Sequence, residues 1–226
     1  MLNLENTFGT DDSLEEVFKR ACQYNDAQEI HEKMASIFIQ SDKPEKADEI
    51  FQSALKKKFT QSPNLFLNYA NFLFDTMAAP DRGRALLPRA MQSLPPHTHV
   101  ELTSKFGQLE FRSLHGDVER GRTVFEGLLS SFPKRVDLWN ILLDLEIKVG
   151  DVDQVRRLFE RVLGIGRGVG ADGSKAGMKK LKDKQAKFFF KKWLTFEEKI
   201  SNGDDKMVDE VKARAAEYVK SLKEDS

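Results

Sequence analysis

Leu138-Trp139-Asn140-Ile141-Leu142-Leu143-Asp144-Leu145-Glu146, then Val149-Gly150-Asp151, then Val155-Arg156-Arg157-Leu158-Phe159-Glu160-Arg161-Val162-Leu163, is the stretch that decides the fold. Apolar residues recur at three- and four-residue spacing on both sides of a Gly-Asp break, the pattern of a helix, a tight turn and a second helix. The phrase recurs upstream, where Leu109-Glu110 precedes His115-Gly116-Asp117 and then Gly121-Arg122-Thr123-Val124-Phe125-Glu126. One unit of this size cannot bury its own apolar faces, whereas a stack of them can.

Set on one register, the repeat extends through the chain. Phe18, Phe51, Leu87, Phe125 and Phe159 stand 33, 36, 38 and 34 residues apart, and Ala21, Ala54, Ala90, Leu128 and Val162 keep step three places later. The first helices agree, with Leu73, Glu110 and Glu146 spaced by 37 and 36. Helical arrays of tetratricopeptide, HEAT and armadillo type have periods in this range. No run alternates with period two, so strands are not expected. The fold class is all-α, a right-handed α-α superhelix (solenoid) of helix-turn-helix repeats.

The ends and one interruption depart from the register. Residues 1–10 are polar and unpatterned and read as a disordered lead to an array over 11–226. Lys187 to Ile200, with Phe188-Phe189-Phe190, Trp193 and Phe196-Glu197, repeats the first-helix phrase, yet Glu197 lies 51 residues after Glu146. The surplus is a segment over 164–184 carrying Gly164, Gly166, Gly168, Gly170, Gly173 and Gly177, too rich in glycine for a stable helix and read as a flexible insertion. A closing helix at about 204–222, with either Val211 or Tyr218 in the phenylalanine slot, has the polar outer side that a capping repeat needs.

Composition bounds the function. The 226 residues hold 36 basic and 36 acidic side chains, so no global field marks a nucleic-acid or membrane binder. A single cysteine, Cys22, excludes an internal disulfide, and no apolar run approaches the roughly 20 residues of a membrane span. The chain reads as soluble and intracellular, and as a piece of a larger protein.

Chemistry-bearing motifs are few. Gly168-Val169-Gly170-Ala171-Asp172-Gly173 satisfies a GxGxxG pattern but follows a helix, where phosphate cradling requires a preceding strand. His97 and His99 have no acidic or cysteine companions and two-residue spacing does not place them on one helix face, so no metal is expected. Cys22 falls in the apolar register with no evident partner base, and His31 and His115 read as surface or capping groups. Glu110, Glu146 and Glu197 recur once per repeat, as packing requires and a catalytic pair does not; they are expected to be partly buried acceptors. The aromatic sets Phe66/Tyr69/Phe72/Phe74 and Phe188/Phe189/Phe190/Trp193 have core spacing, although three successive phenylalanines point three ways and one ring is free to reach the surface. No catalytic, metal or cofactor site is expected.

Trp139 with seven residues to Glu146, a Gly-Asp turn and Arg156-x-x-Phe159-Glu160-Arg161 resemble the half-a-tetratricopeptide (HAT) repeat of RNA-processing factors. Phe66, Thr103 and Phe190 occupy the tryptophan slot in other units, Leu73 one glutamate slot, and Ser53 and Gly127 replace the second arginine. Within that class, Ala47-Asp48-Glu49-Ile50-Phe51, Leu65 to Asn71, Gly121 to Glu126 and Val136 to Trp139 are similar to the C-terminal repeats of a large ribosomal-RNA-processing factor. The resemblance implies a nucleolar, non-enzymatic scaffold that contacts other assembly factors of the small-subunit processome during pre-rRNA cleavage and 40S assembly, with pre-rRNA or a small nucleolar RNP as further partners. It implies neither a membrane nor a small-molecule substrate.

Charge distribution supplies the competing reading. Residues 1–32 are acidic, whereas Arg156, Arg157, Arg167, Lys175, Lys179, Lys180, Lys182, Lys184, Lys187, Lys191 and Lys192 make the C-terminal third basic. These are the candidate RNA or partner contacts, and direct pre-rRNA binding through them is the alternative to a protein scaffold. A scaffold in messenger-RNA splicing or 3′-end processing is the other alternative within the class.

Overall fold

In a computed structural model, the described residues are 1–56, 59–165, 181–201 and 205–224; they form twelve α-helices and no strand. Two compact units divide within the eighth helix, at Val124/Phe125.

The first unit contains α1 (Leu2–Phe8), α2 (Asp11–Tyr24), α3 (Ala27–Gln40), α4 (Pro44–Lys56), α5 (Pro63–Asp75), α6 (Pro80–Ser93), a 3₁₀ turn at Pro96–Thr98, α7 (His99–Arg112) and the start of α8 (Val118–Ser131). Local chemistry sets the boundaries. Thr10, Asp26 and Ser62 accept hydrogen bonds from the first free amides of α2, α3 and α5, and Pro44, Pro63 and Pro80 open their helices where a missing N–H costs nothing. Neighbouring helices pack on one another: α3 on α4, α5 on α6, and α7 on both α5 and α6.

The disordered lead expected over 1–10 is instead the helix α1, and its anchoring explains why pattern did not show it. Asn6 donates to Ser41 Oγ, Lys43 Nζ donates to Asn6 Oδ1 at 2.9 Å, and Ser13 Oγ donates to Glu5. Long-range polar bonds hold this segment, with only Leu2 reaching the core.

Small residues let the backbones approach. Ala47, Ala54, Ala70 and Ala90 are fully buried, and Gly83 in α6 faces Phe74 so closely that a Cβ there would lie 2.6 Å from the ring. Gly121 in α8 meets Phe111 in the same way. Between these helices Phe51 stacks on Tyr69 at 5.0 Å and packs against Phe72, burying the aromatic set of α5. Phe18 and Leu87 are half-buried but touch this core, Leu86 taking the deeper place in α6.

The second unit holds the rest of α8, then α9 (Val136–Val149), α10 (Val152–Leu163), α11 (Asp183–Ile200) and α12 (Lys206–Glu224). The Gly-Asp turns serve both units but for different reasons. Gly150 adopts φ 90°, the left-handed region that glycine enters without strain, whereas Gly116 lies where a Cβ would be 2.4 Å from the Glu110 carbonyl oxygen. The following Asp151 and Asp117 cap α10 and α8 by accepting backbone amides.

Helices α9 and α10, α10 and α11, and α11 and α12 pack in succession. Phe159 lies nearly parallel to Trp193 at 5.4 Å, and Phe190 meets Tyr218 edge-on at 5.5 Å. Val208, Val211 and Tyr218 are all buried on α12, so both candidates for the phenylalanine slot are core residues seven apart on one helical face. The insertion expected over 164–184 is shorter at its end, since Asp183 and Lys184 belong to α11; its glycines from Gly166 to Gly177 lie outside the described residues.

Candidate functional site

The recurrent glutamates are sealed inside. Glu110, Glu146 and Glu197 are 6%, 0% and 1% exposed. Arg84 of α6 donates through Nε and Nη2 to the two oxygens of Glu110 at 2.7 and 2.8 Å, and the Asp117 amide adds a third bond at 2.9 Å. Arg156 of α10 does the same to Glu197 at 2.9 and 2.8 Å, joined by Trp193 Nε1 at 2.9 Å. Each arginine comes from the second helix of one repeat and each glutamate from the first helix of the next. The bidentate fork matches a carboxylate in geometry as well as charge. Burial alone would raise the Glu197 carboxyl, but Arg156 and Trp193 outweigh it and hold the group below its ordinary value. The same partner raises Arg156, so both stay ionised.

A second latch runs along the second helices. Arg161 holds Glu126 at 2.5–2.6 Å and lies 5.0 Å from the Trp139 ring centre; Arg214 holds Glu160 at 2.5 Å and lies 5.6 Å from Trp193. Trp139, itself buried, donates Nε1 to the Pro133 carbonyl at 3.0 Å. In the first unit, Asp48 accepts from Tyr69 at 2.6 Å and from Arg82 at 2.9 Å. Burial pulls Asp48 upward, yet these donors bring it below its usual value, while burial and Asp48 push Tyr69 up to about 12. This cluster leaves no sign in the sequence. The arginine latches did leave one: Arg84 precedes Glu110 by 26 residues, and Arg156 precedes Glu197 by 41, the same interval once the insertion is counted.

The candidate contact residues separate into three groups. Arg156 is committed to Glu197, and Lys192 to Asp144 at 2.7 Å and to Asn140, so their charges are spent within the repeats. Arg167, Lys175, Lys179 and Lys180 lie outside the described residues. Arg157, Lys182, Lys184, Lys187 and Lys191 are exposed, the last three on one face of α11. Between them stands Phe188, 49% exposed, while Phe189, Phe190 and Trp193 are buried as core.

Other sequence candidates resolve plainly. His99 Nε2 lies 2.9 Å from the Leu94 carbonyl oxygen, and no group of metal-ligating side chains occurs among the described residues. His31 is a correction: it is buried, its Nδ1 is 2.6 Å from the Ala27 carbonyl oxygen, and its ring lies edge-on to Phe18 and Phe59. Packing of α2 against α3 also gives Cys22 a neighbour nine residues away that spacing did not suggest, Sγ standing 3.8 Å from His31 Nδ1; the thiol is half-buried. An open groove of about 610 Å³ runs along α1, α2 and α3, and Val17, Ala21, Tyr24, Ile30, Arg20 and Lys33 are among the residues that line it. No carboxylate, thiol or imidazole lines it. No helix is long and apolar enough to cross a membrane among the described residues.

No protein-family profile matches the chain. It is 48% identical over 219 residues to the rRNA biogenesis protein rrp5 of Schizosaccharomyces pombe, an alignment covering 97% of this chain and 12% of that protein. The RRP5 homolog of Mus musculus is 38% identical over 98% of the chain and 11% of its own length, and RRP5 of Arabidopsis thaliana 34% identical over 97% and 10%. Along nearly its whole length the chain is therefore similar to one segment, roughly a tenth, of RRP5 rRNA-biogenesis proteins from fungi, animals and plants.

Proposed function

We propose that the chain is a non-enzymatic scaffold module of a ribosome-biogenesis factor, making protein–protein contacts in the small-subunit processome that pre-rRNA cleavage and 40S assembly require. Its place of action is the nucleolus. The observation that carries this reading is the fate of the recurrent acids. Every repeat glutamate described above is consumed by packing, and Glu110 and Glu197 each tie one helix pair to the next within its own unit, which fixes the surface those pairs present. The names of the similar proteins supply the biological setting.

Capture from nucleolar extract with the tagged chain, before and after nuclease treatment, tests this. Small-subunit assembly factors identified by mass spectrometry should persist after nuclease. Their disappearance would replace the scaffold reading with one in which RNA bridges every contact. The exposed lysines of α11 favour direct pre-rRNA contact as the second reading.

A further inference from the structure

From the outer face of α11 we infer a specific single-stranded RNA contact centred on Phe188, deepening the second reading above. Lys184, Lys187, Phe188 and Lys191 occupy positions i, i+3, i+4 and i+7, so they share one stripe about 10 Å long. All four are exposed. Only Lys187 is ion-paired there, to Asp183 four residues earlier and in the open, while Lys184 and Lys191 have no ion pair among the described residues.

An exposed phenylalanine beside buried Phe189 and Phe190 is not needed by the core, and it is not loose. Its ring meets the Phe189 ring edge-on at 5.2 Å, and Lys192 Nζ lies 6.0 Å from its centre. Lys192 is in turn fixed by Asp144 and Asn140. The ring is thus held in place at the surface, inside a row of cations. A positive track with an oriented aromatic platform is the arrangement that binds an unpaired strand: lysines take the phosphates and the ring stacks on a base, for which every nucleotide offers a π-face. An acidic peptide could also use the lysines and pack on the ring, so competition by oligoglutamate is the arm of the test that separates it from a strand.

Fluorescence anisotropy with a labelled oligouridine strand tests the assignment on the full chain. Replacing Phe188 with alanine should weaken binding about 5- to 150-fold, since base stacking on one aromatic is worth that much. Phe188→Leu should behave like the alanine variant and Phe188→Trp should bind at least as well as the parent. Joint reversal of Lys184, Lys187 and Lys191 to glutamate should abolish binding at moderate salt, and reversal of any one should flatten the log–log salt slope by about 0.7. Circular dichroism melting checks each variant's fold, which exposure of these residues should leave unchanged.

Equal binding by the leucine and parent chains, equal affinity for a duplex, or binding only to an oligoglutamate competitor would overturn the proposal, the last in favour of an acidic protein partner. The same variants in the nuclease-treated capture separate the two ideas: loss of RNA binding with retained assembly factors leaves the scaffold standing, whereas retained RNA binding with loss of assembly factors makes this face a protein contact and overturns the RNA proposal alone.

Discussion

The Arg156–Glu197 latch predicts a measurable coupling between consecutive repeats. Removing Arg156 as alanine strips two charge-assisted bonds, at 2.9 and 2.8 Å, from a carboxylate that is 1% exposed. Breaking a buried pair from one side costs about 3–5 kcal/mol. Two features lower that here: the Arg156 side chain is 28% exposed, so water screens the pair, and Trp193 still donates to Glu197. The expected cost is about 2–3 kcal/mol, and about the same for Glu197→Gln, which keeps the volume but removes the charge. In the double variant no bare carboxylate remains, so the two costs should fall short of additivity by about 1.5 kcal/mol. Both tryptophans, Trp139 and Trp193, lie in the second unit, so urea unfolding followed by tryptophan fluorescence reports on that unit alone. For a unit of about 100 residues each single variant should lower the melting temperature by about 10–20 °C. A coupling below about 0.5 kcal/mol in the double-mutant cycle would refute the latch as an energetic link.

Four further outcomes follow from the same geometry. Because the folded-state Glu197 carboxyl is held below its ordinary 4.5, its contribution is present above that pH and lost as pH falls through the lower folded value, so acid should shift the urea midpoint of the second unit less in Glu197→Gln than in the parent. Tyr69, pushed up from 10.0 to about 12, contributes stability that is complete below pH 10 and lost as pH rises through about 12; Tyr69→Phe should remove that alkaline loss from the circular-dichroism melting profile. Trp139→Ala should cost about 3–5 kcal/mol in urea unfolding, because the indole is buried and hydrogen-bonded, and an unchanged midpoint would remove it from the core. Gly83→Ala and Gly127→Ala should differ in sign: a Cβ at Gly83 strikes Phe74 at 2.6 Å and should cost about 1–3 kcal/mol, whereas at Gly127, where nothing lies within 4 Å, it should gain about 0.5–1 kcal/mol from helix propensity, both read by thermal melting.

The sequence by itself determined the repeat. Phe51, Phe125, Phe159, Trp139 and Trp193 recur at helical spacing, and a residue needed by packing must return once per unit, so a place in the core was legible for them, whereas for the three glutamates the pattern implied only partial burial and the structure buries all three. The capping residues and Gly-Asp turns are equally local, since each acts on amides within three residues of itself. Tertiary structure alone decided which charges are spent and which are free. Arg156 and Lys191 look alike in a basic run, yet one grips a buried glutamate 41 residues away and the other stands on an open helix face, because helix packing brings Glu197 to Arg156 and nothing acidic to Lys191 among the described residues. The same holds for α1, tied down by Ser41 and Lys43, and for Cys22 beside His31: contacts between helices depend on how those helices meet, and a one-dimensional pattern carries the face of each helix but not its partner.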